Sequence, residues 1–378
     1  MKAGWRTLAL GDLCDILDNK RKPITKRDRK PGEYPYYGAT GIQDFVEGYL
    51  FDEPLVLVGE DGAKWASGEN TAFAIEGKCW VNNHAHVLRP NRTLLNDNWL
   101  IYFLAHSDLS PFVSGLTVPK LNQGNLREIP IPLPPLPEQH RIVALLDEAF
   151  AGIATAKTNA EKNLQNARAL FESHLQSIFT ERGEGWVTQK VSEIAKHSLG
   201  KMLDKAKNKG EPQPYLRNLN VRWFEFDLSD LLEMPFLPTE AEKYTAVKGD
   251  VLICEGGYPG RAAIWGEDYP IYFQKALHRV RFHEPEHNKW FVYFLYAQDK
   301  AGELKKHFSG AGIQHFTGEG LARFEVPLPP LSELRRAVAG FDALAAETQR
   351  LESLYQRKLA TLDELKQSLL HQAFSGQL

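Results

Sequence analysis

Cysteine is scarce, with three in 378 residues. Cys14, Cys79 and Cys254 are scattered and form no Cys-x-x-Cys pair. That argues against a disulfide framework or a thiolate zinc cage and for a reducing, cytoplasmic setting. No apolar run approaches the ~18 residues that span a bilayer. The opening Met1-Lys2-Ala3-Gly4-Trp5-Arg6 lacks the apolar stretch of a secretory signal. No Gly-x-Gly-x-x-Gly fingerprint occurs, and Gly310-Ala311-Gly312 is too short to count. No Gly-x-x-x-x-Gly-Lys-Ser/Thr loop occurs, so ATP-driven translocation is not expected to be encoded here. The doubled prolines sit in Leu-Pro-Pro-Leu, without the Asn or Asp before and aromatic after that a self-sufficient DNA methyltransferase needs. Charge of one sign is missing too. The net value of -3 announces no acidic or basic partner on the scale of the whole chain.

What is present is ordinary in bulk: 43% hydrophobic and 25% charged residues, at a length that suggests two or three domains. The order of the residues is not ordinary, because the chain repeats itself. Residues 129–150 read IPIPLPPLPEQHRIVALLDEAF and residues 324–345 read FEVPLPPLSELRRAVAGFDALA. Pro132, Leu133, Pro134, Pro135, Leu136, Glu138, Arg141 and Asp147 meet Pro327, Leu328, Pro329, Pro330, Leu331, Glu333, Arg336 and Asp342, each 195 positions on (132 to 327). Val56-Leu57-Val58-Gly59-Glu60 answers Val251-Leu252-Ile253-Cys254-Glu255 at the same offset. Trp99-x-x-Tyr102-Phe103-Leu104 answers Trp290-x-x-Tyr293-Phe294-Leu295, and Gly4-Trp5-x-Thr7 answers Gly185-Trp186-x-Thr188. Leu170, Leu175 and Phe179 meet Leu365, Leu370 and Phe374. Two units this long indicate a duplication, since solenoid repeats are far shorter.

Each Pro-rich segment leads into a long helix. Proline suits a helix start and not its interior. Over 138–179 the residues Ile142, Leu146, Ala149, Ile153, Ala156, Ala160, Leu164, Ala167, Phe171 and Ile178 recur at spacings of three and four, broken only by Gly152. Over 333–374 Phe341, Leu344, Thr348, Leu351, Tyr355, Leu362, Leu365 and Leu369 do the same. Such a stripe is a seam for a partner helix. At 1.5 Å per residue each helix would be about 60 Å long, and with one apolar stripe along it each needs a partner face. The short link 180–185 ties the end of one helix to the domain that launches the other, so the pair is expected to run antiparallel. Two heads would then sit at opposite ends of a rod about a pseudo-two-fold axis.

Each head reads as α+β, with one mixed sheet. Pro54–Val58 and Asp250–Ile253 are strand-like. Residues 72–75 and 79–81 read as a hairpin turning at Glu76-Gly77-Lys78, and 269–273 with 277–282 as another. Residues 99–105 and 290–297 read as helices.

Local charge and polar chemistry suggest where a ligand meets the heads. Lys20, Arg21, Lys22, Lys26, Arg27, Arg29 and Lys30 crowd one stretch, and Lys201, Lys205, Lys207 and Lys209, then Arg217, stand at the comparable place in the second half. A basic stripe of this kind is the footprint of a nucleic-acid binder, or else a solvated loop. Asn82, Asn83, His84 and His86 offer base-edge chemistry, since asparagine pairs with adenine. Gln274, Lys275, His278 and Arg279 correspond to them, with Arg217, Asn218 and Asn220 as a further group. Glu60, Asp61 and Arg261 lie in the Gly-rich turns. His84-x-His86 lacks the further ligands that structural zinc requires, so no metal is expected. Asp61 with Glu76 and Lys78 has the spacing of a Mg²⁺-dependent nuclease site, which keeps an enzyme reading open.

Taken together, two divergent heads, each ending in Pro-Leu-Pro-Pro-Leu and a long helix, resemble the specificity subunit of type I restriction–modification systems. The closing Leu369-Leu370-x-x-Ala373-Phe374-Ser375-Gly376 strengthens the likeness, which covers essentially the whole chain. The resemblance implies an α+β fold: two pseudo-two-fold-related target recognition domains separated by an antiparallel pair of long helices. The expected divisions are 1–130 and 183–325 for the recognition domains, and 131–182 and 326–378 for the lead-ins with their helices. It further implies a non-catalytic chain of the bacterial or archaeal cytoplasm, reading a bipartite DNA site. The two helices, through Leu146, Ile153, Phe171, Ile178, Phe341, Leu351, Tyr355, Leu362 and Leu369, would set the spacer and dock two methyltransferase subunits. S-adenosylmethionine would bind those subunits, and ATP with Mg²⁺ the restriction–translocase subunits. The alternatives are the nuclease above and an adaptor that joins proteins without DNA.

Overall fold

The computed structural model describes residues 4–115, 117–204 and 208–378. It divides into two bodies, one made of residues up to Glu161 together with Gln356–Leu378, the other of Lys162–Tyr355.

In the first body, Leu55–Gly59 (LVLVG) is buried along its whole length, as its β-branched and leucine content demands of a central strand. Ala85–Pro90 and Ala72–Ile75 pair with it antiparallel on either side, and Cys14–Ile16 completes the sheet beyond Ala85–Pro90. A second four-stranded sheet runs Gly41–Val46, Pro31–Gly38, Lys78–Val81, Phe51–Asp52. Pro31–Gly38 and Lys78–Val81 are parallel neighbours. The second body repeats this plan. Its first sheet runs Ala195–Leu199, Leu277–Phe282, Val251–Cys254, Ala262–Ile264, and its second Leu232–Phe236, Glu211–Leu216, Ile271–Phe273, Thr245–Ala246.

Each head therefore holds two four-stranded sheets rather than the one mixed sheet expected. The two hairpins are corrected by the same fact. Ala72–Ile75 belongs to the first sheet and Lys78–Val81 to the second, so the chain changes sheet at Gly77, whose φ of +78 supplies the corner. Ile271–Phe273 and Leu277–Phe282 part in the same way. Alternation of apolar residues fixes that both segments are strands, but it does not fix which neighbour each one chooses.

The helices are longer than their periodicity alone marks. The central helix spans Leu136–Thr180 and the C-terminal helix Leu331–Ser375, 45 residues each. A two-stranded ribbon delivers the chain to each start, Arg6–Ala9 with Pro130–Leu133 and Val187–Lys190 with Glu325–Leu328. A tryptophan pins each exit: Trp99 Nε1 donates to Pro132 O at 2.8 Å, and Trp290 Nε1 to Pro327 O at 2.7 Å. Residue 139 shows how one socket takes two chemistries. Gln139 is fully buried and donates to Leu94 O and Pro134 O. Its equivalent 195 positions on, Leu334, simply packs into the core.

The helices pair antiparallel within each body. In the first, Lys157 is joined to Asp363, and Lys366 lies over the Phe150 ring. In the second, Arg168 meets Glu352 at 2.5 Å and Phe179 meets Phe341 with ring centroids 5.8 Å apart. Ile142, Leu146, Ile153, Ala160, Ala167 and Phe171 are buried along the expected stripe. Gly152 faces open space, so it does not interrupt the seam. Leu365 departs from expectation, being 46% exposed.

Each head is completed by the far end of the helix launched from the other half. Leu370, Ala373 and Phe374 enter the core around Trp99, Leu100 and Leu104. Leu175 and Phe179 enter the core around Trp290, Phe291 and Phe294. The ring contacts match as well: Phe374 meets Trp99 at 4.7 Å and Phe179 meets Trp290 at 4.8 Å.

Candidate nucleic-acid interface

The candidate readers sit on loops that one backbone relay holds in both heads. Glu60 N–H donates to His84 O and Leu121 N–H donates to Glu60 O, at 2.9 and 2.8 Å. Glu255 N–H donates to Ala276 O and Phe316 N–H donates to Glu255 O, again at 2.9 and 2.8 Å. A buried histidine ties off each relay. His86 Nε2 lies 2.7 Å from Leu121 O, and His278 Nε2 lies 3.0 Å from Phe316 O. Leu121 and Phe316 close two short hairpins, in which Ser114 and Lys120 exchange backbone hydrogen bonds, as do Ser309 and His315. These hairpins are not among the residues singled out from the sequence. The signal that marks them is Ser114-Gly115 recurring as Ser309-Gly310, 195 positions on (114 to 309).

Around this framework the polar chemistry of the two heads differs. In the first, His86 Nδ1 sits 2.6 Å from Asp18, and Arg21 binds Glu60 and Ala85 O at 2.5 and 2.7 Å. Lys120 Nζ reaches Glu60 from the other side at 2.8 Å. Burial by itself would raise the Asp18 carboxyl. The hydrogen bond and charge of His86, with Val87 N–H and Arg21, outweigh burial, and its pKa ends below the usual value. In the second head, Leu199 pairs with His278 where Asp18 stands in the first, and His278 Nδ1 has no hydrogen-bond partner among the described residues.

Comparison with known proteins now decides the family. The profile of the type I restriction modification DNA specificity domain matches twice, over residues 2–165 and 183–358. The chain belongs to this family. A putative type I restriction enzyme specificity subunit of Haemophilus influenzae is 27% identical over 350 residues, covering 92% of this chain and 89% of its own. The EcoKI specificity subunit of Escherichia coli is 24% identical over 356 residues, covering 86% and 75%. Among solved structures, a chain from work on complex assembly and conformational transition of the type I R-M system superposes with a TM-score of 0.76 at 20% identity, covering 100% of this chain and 99% of that one. The HsdS subunit from Thermoanaerobacter tengcongensis gives 0.62 at 19%, covering 100% and 98%. Both show the same fold.

Within this specificity chain, many of the residues expected to meet bases are engaged in bonds that hold the loops. Glu60, Asn82, His86, Lys201, Asn220 and His278 are buried. Arg21 is taken up by Glu60 and loop carbonyls. Lys201 Nζ donates to Pro235 O and Glu240 at 2.8 and 2.6 Å, over the Phe236 ring. Arg217 binds Asp230, Arg261 donates to Asn218 O, and Arg279 donates to Glu242 O and Thr245 O. Asn220 caps the turn from Arg217, and Asn218 donates to Gly256 O. The exposed members are Lys20, Lys22, Arg27, Asn83, His84 and Lys275, with Gln274 half-buried and Asp61 bound to His84. Lys205 and Lys207 lie outside the described residues.

The nuclease reading fails on geometry. Leu55 pairs with Ile75 and Val58 with Ala72, so Glu76 flanks one end of the strand pair and Asp61 the other. Five strand residues separate them by roughly 17 Å, far beyond a shared metal. Asp18, Glu60 and His86 bring ligand atoms within 4.8 Å of one another. Arg21 and Lys120 already neutralise that cluster, so the protein's own cations fill the role a metal would take. The thiols are equally unsuited to chemistry: burial pushes Cys79 up to about 11 and Cys14 to about 12.

His278 gives the second head a distinct acid response. Burial pushes its pKa down to about 4 from 6.5, a fall that the Phe316 carbonyl only partly offsets and to which His197 adds. The unfolded chain then binds a proton more readily than the folded one between these values. The stability contribution is complete above pH 6.5 and is lost as pH falls through that window toward 4, by about 3 kcal/mol in all. Denaturant titrations of the second head from pH 7.5 to 4.5 should show this slope, and His278→Gln should flatten it. A wild-type slope unchanged by His278→Gln would assign the effect elsewhere.

Proposed function

We propose that this chain is the DNA-reading, non-catalytic component of a type I restriction–modification assembly. Each head reads one half of a bipartite, asymmetric site, and the paired helices fix the gap between the halves. One observation carries the reading most directly. The same framework, relay for relay, is built twice, while the exposed side chains it presents differ between the heads. Lys20, Lys22, Arg27, Asn83 and His84 face solvent in one, and Lys275 beside the half-buried Gln274 in the other. Phosphate contacts from the lysines would set register, and base-edge contacts would set sequence.

The repeated lead-ins and the helix faces offer two equivalent docking places, which suits two copies of a methyltransferase subunit. S-adenosylmethionine belongs on that partner. ATP and Mg²⁺ belong on a restriction–translocase partner, and the assembly acts in the cytoplasm. An adaptor that joins proteins without DNA would have no need of two unlike reading surfaces on one framework.

Methylome sequencing of a host carrying the chain and its cognate methyltransferase tests this. One bipartite motif should appear. Replacing residues 183–325 with those of a relative should change one half of that motif and leave the other. No methylation, or a motif in which both halves change, would sink the reading.

A further inference from the structure

The two small hairpins carry an unexplained likeness. Gly115 has φ +96, and a Cβ there would meet Val118 O at 2.5 Å; Gly310 has φ +109, and a Cβ would meet Ile313 O at 2.3 Å. Each glycine thus permits a turn too tight for any side chain. That turn lifts one branched aliphatic residue into solvent at the same position in each head. Val118 is 65% exposed and Ile313 76%, and they stand 195 positions apart (118 to 313).

An exposed Val or Ile on its own means little. Three observations make this pair different. The surrounding framework is hydrogen-bonded alike in both heads, down to the buried histidine on the carbonyl after Lys120 and His315. The reader loops beside the hairpins have diverged, so the hairpins face something common to both ends rather than particular to one. The hairpins also join the candidate reader loops through a single residue, Glu60 or Glu255. Exposed lysines flank that surface. Lys20 and Lys22 lie on either side of Arg21 in the first head, with Lys275 and Lys305 in the second.

We propose that the two hairpins enter a groove of duplex DNA and place Val118 and Ile313 against base edges. A neutral, branched tip is unsuited to phosphate, which calls for cations and N–H donors. It is suited to apolar contact with a thymine methyl or an opened base step. The flanking lysines supply the attraction to the backbone, and the Ser114–Lys120 and Ser309–His315 backbone pairs close the base of each hairpin. The inference rests on the DNA-reading function proposed above and deepens it.

The test uses the full chain assembled with its methyltransferase, a duplex carrying the site found by methylome sequencing, and a site-less duplex of equal length. Val118→Ser and Ile313→Ser should each weaken binding to the site about tenfold, a loss typical of one base contact, and together about a hundredfold. Val118→Ile and Ile313→Val should keep wild-type affinity. Binding to the site-less duplex and the mass of the assembly should stay unchanged, because phosphate contacts and partner docking are untouched. Full site affinity in the double Ser variant would overturn the proposal, as would loss of the methyltransferase from it, which would make a protein the occupant. A wild-type assembly with no preference for the site would overturn the functional reading itself; normal wild-type preference with unaffected variants would overturn the hairpins alone.

Discussion

Deleting residues 367–378 from the C-terminal helix is expected to unfold the N-terminal head and spare the second. The deleted segment carries Leu370, Ala373 and Phe374, which are 2%, 0% and 9% exposed. Phe374 alone touches Trp99, Phe103 and His106, with ring centroids at 4.7, 5.3 and 5.6 Å. Losing a buried Phe costs ~3–5 kcal/mol and a buried Leu ~2–5 kcal/mol. The combined loss rivals the ~5–15 kcal/mol that holds a whole domain folded. Hydrogen exchange should show the Trp99 helix, Asp97–His106, exchanging freely while His287–Lys300 stays protected. The converse change, Leu175→Ala with Phe179→Ala, should release the second head and spare the first. Unchanged protection of residues 97–106 in the deletion would refute this account of the core.

Shortening both helices in register is expected to move the two half-sites closer. Lys157 pairs with Asp363. Removing 157–163 and 357–363 therefore takes the same level from both helices and rejoins matched neighbours. Seven residues at 1.5 Å shorten each helix by about 10 Å. At ~3.4 Å per base pair the gap between methylated half-sites should shrink by about three base pairs. The phase error is about 20° per heptad, small enough for the seam to reclose. Methylome sequencing of the variant reads the new gap. If the spacing in the recovered motif does not move, the helices are not the ruler.

Much of this architecture is legible in the order of residues. Repetition 195 positions apart, the Pro-Leu-Pro-Pro-Leu entries and the stripe from Ile142 to Phe171 report duplication and paired helices, because backbone geometry and apolar periodicity are local properties. What escapes is non-local. Ala72–Ile75 and Lys78–Val81 look like one hairpin until the strands between which each sits are known. The candidate interface shows the same divide. Arg21, Arg217, Arg279 and Lys201 have the right chemistry for DNA, but each finds a carboxylate or carbonyl from a distant segment and is used up in holding a loop. Their neighbours Lys20, Lys22 and Lys275 make no such side-chain hydrogen bond among the described residues and remain at the surface. Composition cannot separate the two groups, since arginine suits a buried bidentate contact and a phosphate equally well. The Ser-Gly recurrence at 114 and 309 marks the hairpins only once the structure shows them, and nothing local reveals that Val118 and Ile313 project.

The reciprocal insertion of helix ends has a consequence for descent. The plug offered to the first head, Leu370 with Phe374, matches the plug offered to the second, Leu175 with Phe179, and both fit a tryptophan socket. A head acquired by recombination from a relative meets a shape it already fits, whichever slot it lands in. New sequence preferences can then arise by exchange of whole cassettes at the Pro-rich joints, without any compensating change in the core.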